Sequence, residues 1–175
     1  MRRMLKAGTS SKGFTLIELA LVIFIIGLVL GLVFPRLIDL TGGSVRGTTQ
    51  HLVRSIQILM DRATATKHLY RLNYDIENGR YWATVMGSEG QFEPVDPQLV
   101  QPVTLKEPIR FKDIVTLRQG KVTEGEAFTQ FYPSGRVERT FVHLARGDDD
   151  EEEVTMIIEP LTGRIRLKDG YVEEK

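Results

Sequence analysis

The run from Phe14 to Phe34 constrains this chain more than any other stretch. It is 21 residues long, and only Thr15 and Glu18 interrupt its apolar character. A helix rises 1.5 Å per residue, so a run of about this length spans the ~30 Å hydrocarbon core of a bilayer. Arg2, Arg3, Lys6 and Lys12 precede it with no acid among them. The positive-inside rule then keeps the N-terminus in the cytoplasm and sends the rest of the chain to the far side.

The order of features around this run is unusual. A secretory signal is cut after its apolar region, yet no A-x-A-like site follows directly on Phe34. The natural cut lies before the run, after Gly13. It would remove a basic leader, residues 1–13, and leave the membrane segment, residues 14–34, on the mature protein. Glu18 is the second oddity, because a carboxylate costs about 2.5–3.5 kcal/mol at the bilayer centre and less near the headgroups. Either Glu18 hydrates at the interface, or it pairs with a cation. A cut after Gly13 creates such a cation, the α-amine of Phe14, on the same or a neighbouring subunit. Gly27 and Gly31 give the small-xxx-small spacing that permits close helix contact. Pro35 removes one helical hydrogen bond and pushes its ring toward the carbonyl of Gly31, so a bend is expected there.

Charge is balanced over the whole chain, with 23 basic and 23 acidic residues. Loss of the leader would leave 19 against 23, a mature charge near −4, which argues against general nucleic-acid binding. The absence of cysteine excludes disulfide staples, thiolate nucleophiles and thiolate zinc sites.

Beyond Pro35 the pair Gly42-Gly43 weakens the helix, and Ser44 is a plausible fresh N-cap. Leu52, Ile56, Leu59 and Ala63 then recur at helical spacing, so an amphipathic helix is expected from about Ser44 to His68 within a stalk at residues 35–69. His51 and His68 make no metal pair. From Tyr70 the period changes to two. Asn78-Gly79 signals a hairpin, residues 87–108 read as a loop excursion, and the turns Pro133-Ser134-Gly135 and Pro160-Leu161-Thr162-Gly163 suggest two further hairpins. The expected head, residues 70–175, has roughly seven strands.

The stretch Gly13-Phe14-Thr15-Leu16-Ile17-Glu18-Leu19 resembles the processing motif of type IV pilins and type II secretion pseudopilins. Phe131-Tyr132-Pro133-Ser134-Gly135-Arg136 and Ile158-Glu159-Pro160-Leu161-Thr162-Gly163-Arg164 resemble the C-terminal pattern of the GspH/FimT group of minor members. The resemblance implies an α+β, type IV pilin-like fold: a long N-terminal helix, half membrane-spanning and half amphipathic, on an antiparallel β-sandwich-like head. It implies cleavage between Gly13 and Phe14 by a prepilin peptidase, N-methylation of Phe14, and pairing of Glu18 with a neighbour's amine during assembly. Gly31 and Pro35 would mark the helix bend. Implied partners are other pilins or pseudopilins in a mixed filament, the peptidase/methyltransferase and an inner-membrane assembly platform. Retention of Glu18 argues, by the same family logic, against the extreme tip position.

Two surface features invite ligands. Asp148, Asp149 and Asp150 open a run of six acids that offers calcium its oxygen ligands, but it lacks the spacing of an EF-hand, and a charge run is usually a solvated face. Arg164, Arg166 and Lys168 alternate and would share one strand face, as DNA-binding pilins of this group display in a Gly-Arg-x-Arg element. No nucleophile motif surrounds Ser134 or His143, and no phosphate loop or metal quartet is present. The leading expectation is a minor pseudopilin of a type II secretion system, anchored in the bacterial inner membrane with a periplasmic head. A minor pilin of a type IV pilus, with DNA contact as one of its roles, is the alternative. A membrane-anchored periplasmic enzyme is the third.

Overall fold

A computed structural model describes the backbone at residues 16–41, 45–147, 149–150 and 152–173, and the side chains at all of these except 30–41. The chain divides into two units, Met1–Thr41 and Gly42–Lys175.

The described part of the first unit is one helix, α1 (Leu16–Thr41). It is apolar on every side, and its described side chains are exposed, among them Leu16, Ile17, Ile23 and Phe24. Among the described residues no helix is long and apolar enough to cross a membrane. The fully described part of α1, residues 16–29, is about 21 Å long. Residues 14–15 of the expected span, and the side chains of 30–34, lie outside the described residues.

The second unit holds helix α2 (Val45–Thr66) and ten strands: β1 (Tyr70–Asp75), β2 (Arg80–Met86), β3 (Phe92–Pro94), β4 (Val103–Thr104), β5 (Ile109–Thr116), β6 (Gly120–Val122), β7 (Glu126–Phe131), β8 (Thr140–Arg146), β9 (Glu152–Ile158) and β10 (Ile165–Asp169). The strands form two antiparallel sheets. One runs β3-β2-β1-β7 with β4 also on β2; the other runs β10-β9-β8-β5-β6. The fold class is the expected α+β one, but the strand count is about ten and not seven. The additions are β3, β4 and β6. Each is two or three residues long and sits at a sheet edge, too short for alternation to register. Pro94 ends β3 and Pro102 precedes β4, and proline cannot donate to a ladder, which keeps both short.

A second correction concerns Pro133-Ser134-Gly135. This turn closes a hairpin only one antiparallel bridge long, Phe131 to Val137, and does not pair the two long strands on either side. β7 pairs with β1 in one sheet, whereas β8 pairs with β5 and β9 in the other. The turn closes locally through Tyr132 N–H to the Arg136 carbonyl and Glu138 N–H to the Gln130 carbonyl, both 2.8 Å, and then hands the chain across. Turn residues encode a reversal, not the identity of the next partner. The other two hairpins stand as expected, β1–β2 around Gly79 and β9–β10 around Gly163.

α2 buries the stripe Val45, Thr49, Leu52, Ile56, Leu59 and Ala63. It lies against β1 and β7 of one sheet and β8 and β9 of the other, so it closes one end of the core between them. Gly42, Gly43 and the expected Ser44 cap lie outside the described residues. The helix stops at Lys67, whose φ of 60° is a left-handed value that glycine usually supplies at this position. Gly163, with φ of 59°, brings the β9–β10 turn so close to α2 that any Cβ there would overlap the end of Met60.

Leu72, Tyr74, Ile114, Phe131, Leu144, Met156 and Ile158 fill the space between the sheets. Tyr74 meets Phe111 edge to face at 5.7 Å, in the geometry aromatic quadrupoles favour. A chain of hydroxyls crosses the core: Tyr74 OH to Thr129 Oγ1, Thr129 to Thr140 Oγ1, and Thr140 to the Glu138 carbonyl, at 3.0, 3.0 and 3.1 Å. It satisfies every buried hydroxyl it uses. Burial pushes the Tyr74 hydroxyl well above the ordinary phenol value. At the outer edge of β7 the Gln119 amide acts as a substitute strand. It accepts Phe128 N–H at 2.9 Å and donates to the Glu126 carbonyl at 3.3 Å.

Candidate functional site

The sequence places its most specific chemistry at the N-terminus. Gly13 and Phe14 lie outside the described residues. Glu18 is exposed in the first turn of α1, where the helix dipole favours a carboxylate. The backbone of Gly31 and Pro35 falls within α1, which continues as helix to Thr41. A helix that is apolar all round has no aqueous resting place. Each exposed leucine or isoleucine would gain about 1.5–3 kcal/mol on burial, so the segment calls for lipid or for other helices.

The acidic run is largely answered from within its own sheet. Asp150 accepts from Arg110 at 2.6 Å and from Lys112 at 2.7 Å, and Lys112 also holds Glu153. Arg146 lies 3.9 Å from Glu152. The Lys112 hydrogen bond pulls the Asp150 carboxyl below its ordinary value. These cations occupy the oxygens that calcium would need. Asp149 is exposed and Asp148 lies outside the described residues; no group of three or more candidate metal ligands occurs among the described residues.

The basic strand is exposed as the pattern requires, with Arg166 and Lys168 on β10 and Arg164 just before it. Arg166 is tied to Glu159. Arg164 and Lys168 have no ion pair among the described residues. His51 and His68 are exposed.

One constellation escaped the sequence reading. Asp113 and His143 face each other on β5 and β8 beneath the C-terminal tail, both nearly inaccessible. A register irregularity between Phe111 and Asp113 re-aims β5 at this point. His143 Nδ1 lies 2.7 Å from Asp113 Oδ1, and Nε2 lies 3.0 Å from the Val172 carbonyl. Both neighbours are oxygens able to accept, so each ring nitrogen faces a hydrogen-bond partner. Tyr171 stacks on the ring at 4.0 Å and its hydroxyl receives Lys121 at 2.8 Å; Lys121 also stands 3.5 Å from Asp113. Burial alone would raise the Asp113 carboxyl, but the His143 hydrogen bond and the nearby positive charges hold it below its ordinary value. The pair resembles half of a catalytic triad in composition only. Its outer nitrogen is spent on a backbone carbonyl, and the tail covers it, so it pins residues 170–172 to the sheet. The missed signal was the run Thr140–Ala145, every residue of which is buried. A strand covered on both faces in a two-sheet head requires something else on top.

Residues 8–34 match the family described as the prokaryotic N-terminal methylation motif. No curated protein matches the chain. Among solved structures, the minor pseudopilin EpsH from the type 2 secretion system of Vibrio cholerae matches with a TM-score of 0.57 at 15% identity, covering 73% of this chain and 98% of that one. The chain joins a prepilin motif to a minor-pseudopilin fold. A second structure of the same pseudopilin agrees, with a TM-score of 0.57 at 15% identity over 72% of this chain and 94% of its own. At this identity the likeness establishes the pseudopilin fold of the head, and the motif establishes the character of the N-terminus.

Proposed function

We propose that this chain is a minor pseudopilin of a type II secretion system, a structural subunit and not an enzyme. The observation that carries the reading is the pairing of the methylation motif at residues 8–34 with a pseudopilin-like head on one chain. In this reading a prepilin peptidase cuts after Gly13 and methylates Phe14. The mature chain waits in the bacterial inner membrane, spanning it once through residues 14–34, with the head in the periplasm. It then enters a short mixed fibre through an inner-membrane assembly platform. The apolar helices pack in the fibre core, and Glu18 neutralises the amine of a neighbour. Gly31 and Pro35 allow the helix to bend as it enters.

Co-expression with a prepilin peptidase tests this directly. The chain should shorten by thirteen residues, and Gly13→Ala should impair cutting less than a bulky substitution. An unchanged mass would remove the reading. Glu18→Val should leave membrane insertion intact while lowering incorporation into fibres; normal incorporation would remove the pairing role.

The type IV pilus reading draws on Arg164 and Lys168, exposed and without ion pairs among the described residues. Its DNA role requires binding that weakens steeply with salt and is lost in Arg164→Ala/Lys168→Ala. No binding at low salt would discard the DNA role.

A further inference from the structure

Among its described residues the head leaves three large apolar side chains exposed, Leu117, Leu161 and Leu167. The first two are the most open, at 82% and 81%, and both stand in tight turns. Leu117 opens the β5–β6 turn, and Leu161 sits in the β9–β10 turn. Neither turn needs a leucine. Gly120 and Gly163 supply the left-handed backbone, and the Thr116 and Thr162 hydroxyls accept the Gln119 and Arg164 N–H groups. The two leucines therefore serve no purpose in the fold.

Both turns leave the second sheet at one end. Thr116, Thr140 and Ile158 are in register, so β5 and β9 finish level, two strand spacings or about 10 Å apart. Between the turns lies a hollow of about 440 Å³, with Leu117, Arg118, Tyr132, Arg136 and Pro160 in its lining. Arg118 and Arg136 are exposed, and Arg118 donates to the Tyr132 hydroxyl at 3.0 Å. Arg164, also exposed, follows Leu161 in its turn. The nearest acids are engaged: Glu138 is buried and accepts Arg118 N–H, and Glu159 is tied to Arg166. Glu89 and Glu93 lie before and on β3, three strand spacings from β7 across the other sheet.

The relief of this end decides between partners. A site for another protein has an apolar centre and a polar rim. Here the apolar groups stand on the peaks, and the guanidiniums lie in the hollow between them. A lipid surface has the complementary layering. Leucines on protruding turns pass below the headgroups, while arginines and a tyrosine stop among the phosphates. The unbalanced positive charge then selects anionic lipid over neutral. We propose that this end of the head docks on an anionic lipid surface, with Leu117 and Leu161 inserted and Arg118 and Arg136 against the headgroup phosphates. It is a second lipid contact, separate from that of α1, and it rests on no part of the assembly reading above.

Full-length protein in nanodiscs of phosphatidylcholine keeps α1 occupied and offers the head no anionic lipid. These discs should float with added vesicles containing about 30% phosphatidylglycerol, and not with vesicles of phosphatidylcholine alone. Binding should weaken on raising salt from about 50 to 300 mM. It should fall about tenfold in Leu117→Ser/Leu161→Ser, and by a similar factor in Arg118→Gln/Arg136→Gln. Equal binding to neutral vesicles, no binding to anionic ones, or binding indifferent to the leucine pair overturns the proposal. So does displacement of the vesicles by soluble polyglutamate at matched charge, which would point to an acidic protein instead. A second readout stands even where near-UV circular dichroism shows a double variant to be misfolded. The chain has no cysteine, so one substitution places an environment-sensitive fluorophore. On Leu161→Cys its emission should move to the blue when anionic vesicles are added. On Asp149→Cys, exposed in the β8–β9 connection at the far end of the same sheet, it should stay fixed. No shift at Leu161→Cys, or equal shifts at both positions, overturns the proposal.

Discussion

α1 and α2 are helices of similar length with opposite requirements. α1 is apolar on every face, and its side chains find no cover in the described structure. α2 has a single apolar stripe, and the head buries all of it, from Val45 to Ala63. The difference teaches where each helix obtains its stability. Helices in water gain most of theirs from an amphipathic face packed on a domain, so α2 is completed by its own chain. α1 must be completed by something outside it, and lipid or other apolar helices would serve.

Matched substitutions test that contrast most severely. Leu59→Asp places an unpaired charge at a fully buried position of α2 and should cost the head about 4 kcal/mol or more, read by denaturation followed through Trp82 fluorescence. Ile23→Asp in α1 should leave that transition unmoved and instead lower recovery of the chain in the membrane fraction. A head destabilised equally by both changes would erase the distinction.

The next effect belongs to the head alone. Asp113→Asn removes the buried carboxylate that His143 and Lys121 face and should cost about 3 kcal/mol near neutral pH. Because the folded carboxyl is held below its ordinary value, its stabilisation is fully present above the ordinary carboxylate range. It is lost as pH falls through the lower folded value. Denaturation curves at a series of acidic pH values should therefore show wild type and variant converging at the acid end. A constant gap would refute the ionised Asp113 carboxylate.

Smaller effects probe how closely α2 is fitted. Gly163→Ala adds a methyl where Met60 already lies and forces a side chain onto a left-handed backbone, for a loss of about 1–2 kcal/mol. Adding Met60→Ala should relieve the overlap but not the backbone strain. Any recovery beyond the Met60→Ala single variant measures the overlap alone. Smallest is Lys67→Gly, which relaxes the left-handed residue at the end of α2 and should gain about 0.5 kcal/mol. A loss would show that Lys67 contributes contacts worth more than its conformation costs.

The N-terminal motif and the α2 stripe were legible because local rules govern both. A leader, a small residue, a carboxylate and an apolar run are all read in one direction along the chain, and the spacing of Leu52, Ile56, Leu59 and Ala63 is the helical period itself. Pairing between strands is not local. The reversal at Pro133-Ser134-Gly135 was visible, but the switch of sheets that follows it depends on β5 and β9, residues far away in sequence. The same reasoning explains why the sequence does not reveal Asp113 as the partner of His143. Thirty residues separate them, and only the pairing of β5 with β8 makes them partners.

The guarding of the sheet edges has a consequence for how such heads tolerate crowding. Gln119 occupies the main-chain groups along the rim of β7, and Arg166 and Lys168 stand along the open rim of β10. Charged or blocked rims discourage one backbone from zipping onto another. Close neighbours are therefore limited to contacts between side chains, which can be made, broken and made again. Contacts of this kind leave neighbouring heads able to part again, because nothing in them hardens into a continuous ladder.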